Sequence, residues 1–264
     1  MKETNLILAV AQSGSIPGDV SANVARHLRF GVVAAEHGVQ FLVFPELSLT
    51  GYEPALARSN SVHPHDPKLD PLRRLAEEAR MTVVVGAPIL NDKRELHIGA
   101  LAICSDGMVS TYTKQHLHPG EDEVFTPGLG GPMLSVEGAA VALAICADTT
   151  YPQHPASAAA CGANVYAAGV LITENGYASD TALLRQYSLQ HKMAVLMANH
   201  SAPTGGWVSA GKSAIWSDDG ELVATSPGTE EGLLIATRHK RIWDGMSLSV
   251  PTVSSAIGSQ TGSR

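Results

Sequence analysis

The chain is punctuated by short apolar runs that stop at a polar or reactive residue, and these runs constrain its architecture more than any other feature. Ala139-Ala140-Val141-Ala142-Leu143-Ala144-Ile145 ends at Cys146-Ala147-Asp148. Leu6–Gln12, residues 40–44 and residues 82–87 have the same character, and the second of these ends at Pro45-Glu46. Apolar runs of this length, without polar alternation, predict strands covered on both faces. Helical patterns lie between them. Asp19 caps a repeat of Val20, Val24, Leu28, Val32 and Ala35, and Asp70 caps a helix around residues 72–80 that Pro71 opens. An Ala-rich helix is predicted over 154–162, and one over 180–192 puts Leu183, Leu184, Tyr187 and His191 on one side. Further strands are predicted at 169–173, 194–198 and 233–237.

Two segments break the strand–helix alternation. Residues 95–105 and 108–113 flank Asp106-Gly107, and residues 212–216 and 221–224 flank Asp218-Asp219-Gly220. Both are hairpin signals. Crossovers together with hairpins predict a layered α/β protein with mixed sheets. Composition agrees, since 44% of residues are apolar and only 16% charged, which suits a large buried sheet and argues against disorder. No Pro/Gly/Ser-rich linker divides the chain, so one domain is expected, followed from Met246 by a polar segment rich in Ser, Thr, Gly and Gln.

The net charge of −7, with no basic cluster longer than Arg238-His239-Lys240-Arg241, argues against nucleic acid as a partner. No apolar run approaches the ~18 residues of a membrane span, and the six or so after Asn5 are too few for a signal peptide, so they read as a first strand. Three widely spaced cysteines make no disulfide framework, and a reducing, cytoplasmic setting is expected.

Reactivity is best placed at Cys146. Cys104 runs straight into the Asp106-Gly107 turn, although Leu101-Ala102-Ile103-Cys104-Ser105-Asp106 echoes the Cys146 segment, and Cys161 lies in the Ala-rich helix as a packing residue. Only Cys146 opens from a strand into a loop and then a helix, the place where α/β sheets carry their sites and where a thiolate is favoured. A thiol nucleophile needs a base and an oxyanion partner. Of 11 histidines only His200 follows a strand end. Glu46 stands at the end of a buried strand, where burial raises a carboxylate's pKa, and Lys114 ends the strand after the first hairpin.

These segments together resemble the nitrilase superfamily of carbon–nitrogen hydrolases. Phe44-Pro45-Glu46-Leu47-Ser48-Leu49-Thr50-Gly51-Tyr52 is similar to the family's glutamate segment, Tyr112-Thr113-Lys114-Gln115-His116-Leu117 to its lysine segment, and Ile145-Cys146-Ala147-Asp148 with Tyr151-Pro152 to its nucleophile segment. His118-Pro119-Gly120-Glu121, with Glu123 and Phe125, resembles the stretch carrying a second glutamate. The resemblance implies a four-layer α-β-β-α sandwich with two mixed sheets over residues 1–245. It makes residues 246–264 a polar tail placed to cross the interface of a homodimer or higher homo-oligomer. It also implies Glu46 as general base, Cys146 as nucleophile, Lys114 and the Ala147 N–H at the oxyanion, and Glu121 holding Lys114 or the substrate. The implied activity is hydrolysis of a small non-peptide amide through a thioester, with no cofactor and no metal. Nitriles and N-carbamoyl compounds are the alternatives on the same residues, and a catalytically silent scaffold the alternative of another class.

The sequence departs from the family pattern at Thr149-Thr150-Tyr151-Pro152, Gln190-His191 and Gly211-Lys212-Ser213. Arg58, Arg185, Lys212 and His200 are its candidate substrate selectors. Residues 206–213 match G-x-x-x-x-G-K-S, but a phosphate loop needs a helix after it, and Ala214-Ile215-Trp216 reads as a strand. His116 and His118 beside Glu121 and Glu123 lack metal-ligand spacing.

Overall fold

The structure, a computed structural model, describes residues 5–251. In chain order, β1 (Leu6–Gln12) leads through α1 (Val20–Glu36) to β2 (Phe41–Val43), and α2 (Pro54–Ala57) and α3 (Asp70–Ala79) precede β3 (Thr82–Leu90), β4 (Leu96–Ile103) and β5 (Val109–Thr113). The second half runs β6 (Leu134–Val136), β7 (Ala139–Ile145), α4 (Gln153–Ala160), β8 (Val165–Val170), α5 (Glu174–His191), β9 (Ala194–Asn199), β10 (Ala214–Trp216) and β11 (Leu222–Thr225). Finally β12 (Gly232–His239) and β13 (Ile242–Ser249) return to the first sheet.

One sheet has the order β13-β12-β1-β2-β3-β4-β5 and the other β11-β10-β9-β8-β7-β6. Each has parallel strands at its centre and antiparallel hairpins at its edge, as the two patterns in the sequence predict. The period-2 alternation of side chains sorts the apolar runs into layers. Leu6, Leu8 and Val10 of β1 lie in the layer between the sheets, opposite β9, in one cluster with Leu196 and Ala198 of β9 and with Val141, Leu143 and Ile145 of β7. Ala9 and Ala11 point the other way, with Phe30 and Ala34 of α1 and Leu72 and Ala76 of α3. On the far side Tyr166 and Ala168 of β8 pack with Leu184 and Tyr187 of α5. The result is helix, sheet, sheet, helix. Both faces of the central strands are dry, and each fully buried Leu, Val or Phe contributes roughly 1.5–3 kcal/mol.

Several local expectations are corrected. Asp70 is the first residue of α3 rather than its cap; Asp66 instead accepts from the Lys68 amide and caps the short turn Pro67–Leu69 that feeds the helix. The strand expected at 169–173 lies earlier, at β8. Helix α5 starts at Glu174, well before the expected start at residue 180. Cys161 is exposed at the C-cap of α4 rather than packed. Met246–Ser249 do not begin a tail: they pair with β12 through Ser249↔Gly232 as the second half of edge strand β13. Their polarity is that of a strand with one face in water. Residues 252–264, the remainder of the expected tail, lie outside the described residues. Among the described residues no helix is long and apolar enough to cross a membrane.

Candidate active site

Three strand ends and one short turn bring Glu46, Lys114, Glu121 and Cys146 together between the two sheets. Glu46 follows β2 on a tight turn in which Ser48 N donates to Pro45 O and Gly51 N to Leu47 O. Glycines fix this segment from both sides. A Cβ at Gly86 on β3 would lie 2.3 Å from Leu47 N, and one at Gly169 on β8 would lie 2.7 Å from Phe44 O. The opposing sheets therefore touch the Glu46 backbone directly, which no larger residue would permit. His200, fully buried at the end of β9, supports the same peptide. Burial lowers its pKa to about 4, so the ring is neutral and its Nε2–H donates to Glu46 O at 2.7 Å.

Lys114 follows β5 and its side chain is completely buried. Its Nζ donates to Glu46 Oε1 at 2.8 Å and to both oxygens of Glu121 at 2.8 Å. Glu121 also accepts from Tyr52 OH at 2.9 Å and from the His118 amide at 2.7 Å, so its charge is well compensated. Glu46 is not so well served: Oε2 is buried and without a hydrogen-bond partner. Two carboxylates share one ammonium, and ionising both leaves a net negative charge out of water. Burial, opposed by Lys114 and assisted by Glu121, accordingly raises the Glu46 pKa to about 7. Burial works against the Lys114 charge, but the Glu46 and Glu121 carboxylates outweigh it and hold the ammonium firmly protonated.

Cys146 follows β7 at φ 42°, in the left-handed region, where a non-glycine residue is strained. The turn Cys146–Thr150 is over-determined by Asp148. One carboxylate oxygen accepts from the Ile145 amide (3.0 Å) and Tyr112 OH (2.7 Å), and the other from the amides of Gln115 (3.0 Å) and His116 (2.9 Å). A single buried side chain thus ties the cysteine turn to the backbone just beyond Lys114. Burial, and next the Glu46 carboxylate, push the Cys146 thiol well above the usual cysteine range, so the resting group is a thiol and not a thiolate. The favourable effect of a following helix expected from sequence is overridden.

Above the thiol lies a cavity of roughly 260 Å³, lined by Glu46, Tyr52, Glu121, Cys146, Ala147 and residues from Thr149 to Tyr151, α5 and Trp207. The departure at Thr149-Thr150-Tyr151 therefore falls on the cavity wall. The four candidate selectors do not line it. Arg58 reaches Arg94 O, Arg185 donates to Gly220 O, Lys212 pairs with Glu174 at 2.7 Å, and His200 sits beneath Glu46. Lys212 is followed by strand β10, not by a helix. His116 stacks on Tyr151 with ring centroids 3.9 Å apart, and the His118 ring meets Trp207 edge-on. Three site residues, Asp148, Tyr52 and Asp180, carry no functional signal of their own in the sequence, though the first two lie inside the motif segments.

The carbon-nitrogen hydrolase family profile matches residues 7–242, and the chain belongs to that family. It is similar to an (R)-stereoselective amidase of a Pseudomonas species, 26% identical over 212 residues covering 78% of this chain and 75% of the relative. A glutamine-dependent NAD(+) synthetase of Aquifex aeolicus is 28% identical over 90% of this chain, which spans only 44% of that protein's length. Among solved structures it resembles the nitrilase-superfamily amidase from Nesterenkonia sp. AN1. One mutant of that amidase, with the acetamide moiety of fluoroacetamide added covalently at the active site cysteine, superposes with a TM-score of 0.80 at 27% identity, over 88% of this chain and 90% of that one. Another, in complex with acrylamide, gives 0.82 at 25% identity over 91% and 93%. The chain is a carbon–nitrogen hydrolase with a cysteine nucleophile, built on the four-layer sandwich.

Proposed function

We propose that the protein hydrolyses a small non-peptide amide, with Cys146 as nucleophile, Glu46 as general base and acid, and Lys114 at the oxyanion. The observation that carries this reading is the bare Oε2 of Glu46, a buried acceptor in the same cavity as a protonated thiol. Glu46 takes the thiol proton as Sγ attacks the amide carbon. Once protonated, it loosens its hold on Lys114, whose N–H turns to the negative oxygen formed in the same step, beside the Ala147 amide. Glu46 returns the proton to the leaving nitrogen, the C–N bond breaks, and a thioester remains. Water, deprotonated by Glu46, then attacks the thioester; the C–S bond breaks, the acid leaves and the thiol is restored. Glu121 keeps Lys114 in place throughout. The Nesterenkonia amidase with an acetamide moiety added at its active site cysteine, and its mutant in complex with acrylamide, support the choice of a small amide.

The test is a panel of small amides, nitriles and carbamoyl compounds, read by ammonia release and by the intact mass of the protein. Amides are expected to release ammonia and leave an acyl mass on Cys146. Carbon dioxide released with the ammonia would assign a carbamoyl substrate instead, turnover of nitriles alone a nitrilase, and no adduct with any compound a silent scaffold.

A pH dependence follows from Glu46. The working base is the carboxylate, so kcat/KM is expected to fall about tenfold per pH unit below about 7 and to level off above it. Stability moves the opposite way. The folded pKa lies above the ordinary value of 4.5, so the stabilisation from protonated Glu46 is complete below about 4.5 and is lost as pH rises through about 7. The amount is about 3 kcal/mol for this fully buried group. Initial rates and denaturant titrations across pH 5 to 9 check both, and a flat rate profile through neutrality would remove Glu46 as the base.

A further inference from the structure

The carboxylates that line the cavity face no lysine or arginine in its wall. That wall carries a third carboxylate, Asp180, besides Glu46 and Glu121. Because α5 starts at Glu174, Asp180 stands in the second turn, in line with Thr173 and Gly176, which line the same wall. The spacings of three and four residues put the three on one face. Helical side chains lean back toward the N-terminus, and a Cβ at Gly176 would lie 3.2 Å from Asp180 Oδ2, so glycine there leaves that oxygen uncovered. Among the described residues no cationic side chain pairs with Asp180. Its one side-chain hydrogen bond is a long one, 3.4 Å from Ser179 Oγ. The contrast with Glu174 is direct: that carboxylate is exposed, outside the cavity, and already holds Lys212. Partial burial raises the Asp180 pKa above the ordinary aspartate value, as for a carboxylate drawn from water without a cation to meet it.

We propose that Asp180 selects amides whose far end carries a positive charge, a primary ammonium or guanidinium, by pairing with that group while the carboxamide lies over Cys146. The proposal rests on the amide-hydrolase reading above. It adds the substrate class: a short amide with a cationic tail. A neutral tail gains nothing from the wall, and a carboxylate tail meets three carboxylates against one ammonium already engaged. Tyr151 and Trp207 line the same cavity, and aromatic faces are good neighbours for a cation.

The test uses two amides of equal size, 4-aminobutanamide and pentanamide, which differ by an ammonium in place of a methyl. Calorimetry on the Cys146→Ala protein is expected to give at least about tenfold tighter binding of the cationic amide, the worth of one charge-assisted pair in a partly dry site. Adding Asp180→Asn should bring the two affinities within about threefold, and Asp180→Glu, which keeps the charge, should restore part of the difference. In the otherwise native enzyme the same split is expected in KM, with kcat little changed. Equal affinities, a preference that survives Asp180→Asn, or no binding of the cationic amide overturns the proposal. Failure of the native enzyme to turn over either amide, with the binding preference and its loss both present, would remove the amidase reading and leave the charge selection standing.

Discussion

Cys146→Ala is expected to fold normally and to lose turnover of small amides by at least about 10⁴-fold, with no acyl mass under any condition. The loss is large because the remaining groups have nothing to pass on. Glu46 keeps its bare oxygen and Lys114 its charge, but water in place of the thiol is a poorer nucleophile and leaves no covalent intermediate to divide the reaction into two easier steps. The fold is spared because the turn is held by Asp148 from four directions and not by the sulfur, whose contact to Leu171 O is 3.8 Å. The thiol is protonated at rest, so its removal uncovers no charge. Intact mass, ammonia release and a denaturant midpoint measure the three parts of this result. Turnover at the native rate would sink the nucleophile assignment.

Lys114→Met is expected to damage fold and function together. The ammonium holds two buried carboxylates at 2.8 Å, and removing one member of such a set leaves the others uncompensated at a cost of about 3–5 kcal/mol. The sign with pH follows from the carboxylates left behind: both can escape by binding protons, so the loss is greatest above neutrality and shrinks as pH falls. Adding Glu46→Gln and Glu121→Gln to Lys114→Met removes all three charges and should recover most of the stability, since a buried ionic set exchanged as a whole costs little. It should recover no activity. Urea titrations of the single and triple variants at pH 5 and pH 8 test this. A single variant as stable as the native protein at pH 8 would show that the ammonium does not compensate the two glutamates.

What is legible in the sequence and what is not divides by the range of the contact. A strand covered on both faces shows as an apolar run, and the polar residue at its end stands out, so Glu46, Lys114 and Cys146 are visible in the amino-acid order alone. Asp148 lies in the nucleophile segment, but its work is done on Gln115 and His116, 33 and 32 residues away, and no local pattern carries that. Tyr52 reaches Glu121 across 69 residues in the same way. The true start of helix α5 is masked because Glu174-Asn175-Gly176 has the composition of a break and Asp180 that of a cap. With the helix begun too late, its cavity face and the acidic residue on it go unseen. Arg58, Arg185 and Lys212 draw notice by their charge, but each is occupied by a carbonyl or a carboxylate elsewhere. Strand β13 is hidden because edge strands carry the composition of a loop.

The two glycines against the Glu46 segment have a consequence for how such a protein can diversify. Gly86 and Gly169 belong to different sheets, and a methyl group on either would collide with the main chain around the glutamate. The proposed base is thus anchored by the packing of the sandwich itself, and mutation cannot shift it by small steps without moving one sheet from the other. The opposite wall has no such anchor: Thr149 to Tyr151, the first turns of α5 and Trp207 belong to a short turn, a helix end and a loop. Variation that retunes the substrate is therefore expected to accumulate on that wall, while the reaction stays the same. A library built to change what this enzyme accepts should be drawn there and should leave both glycines alone.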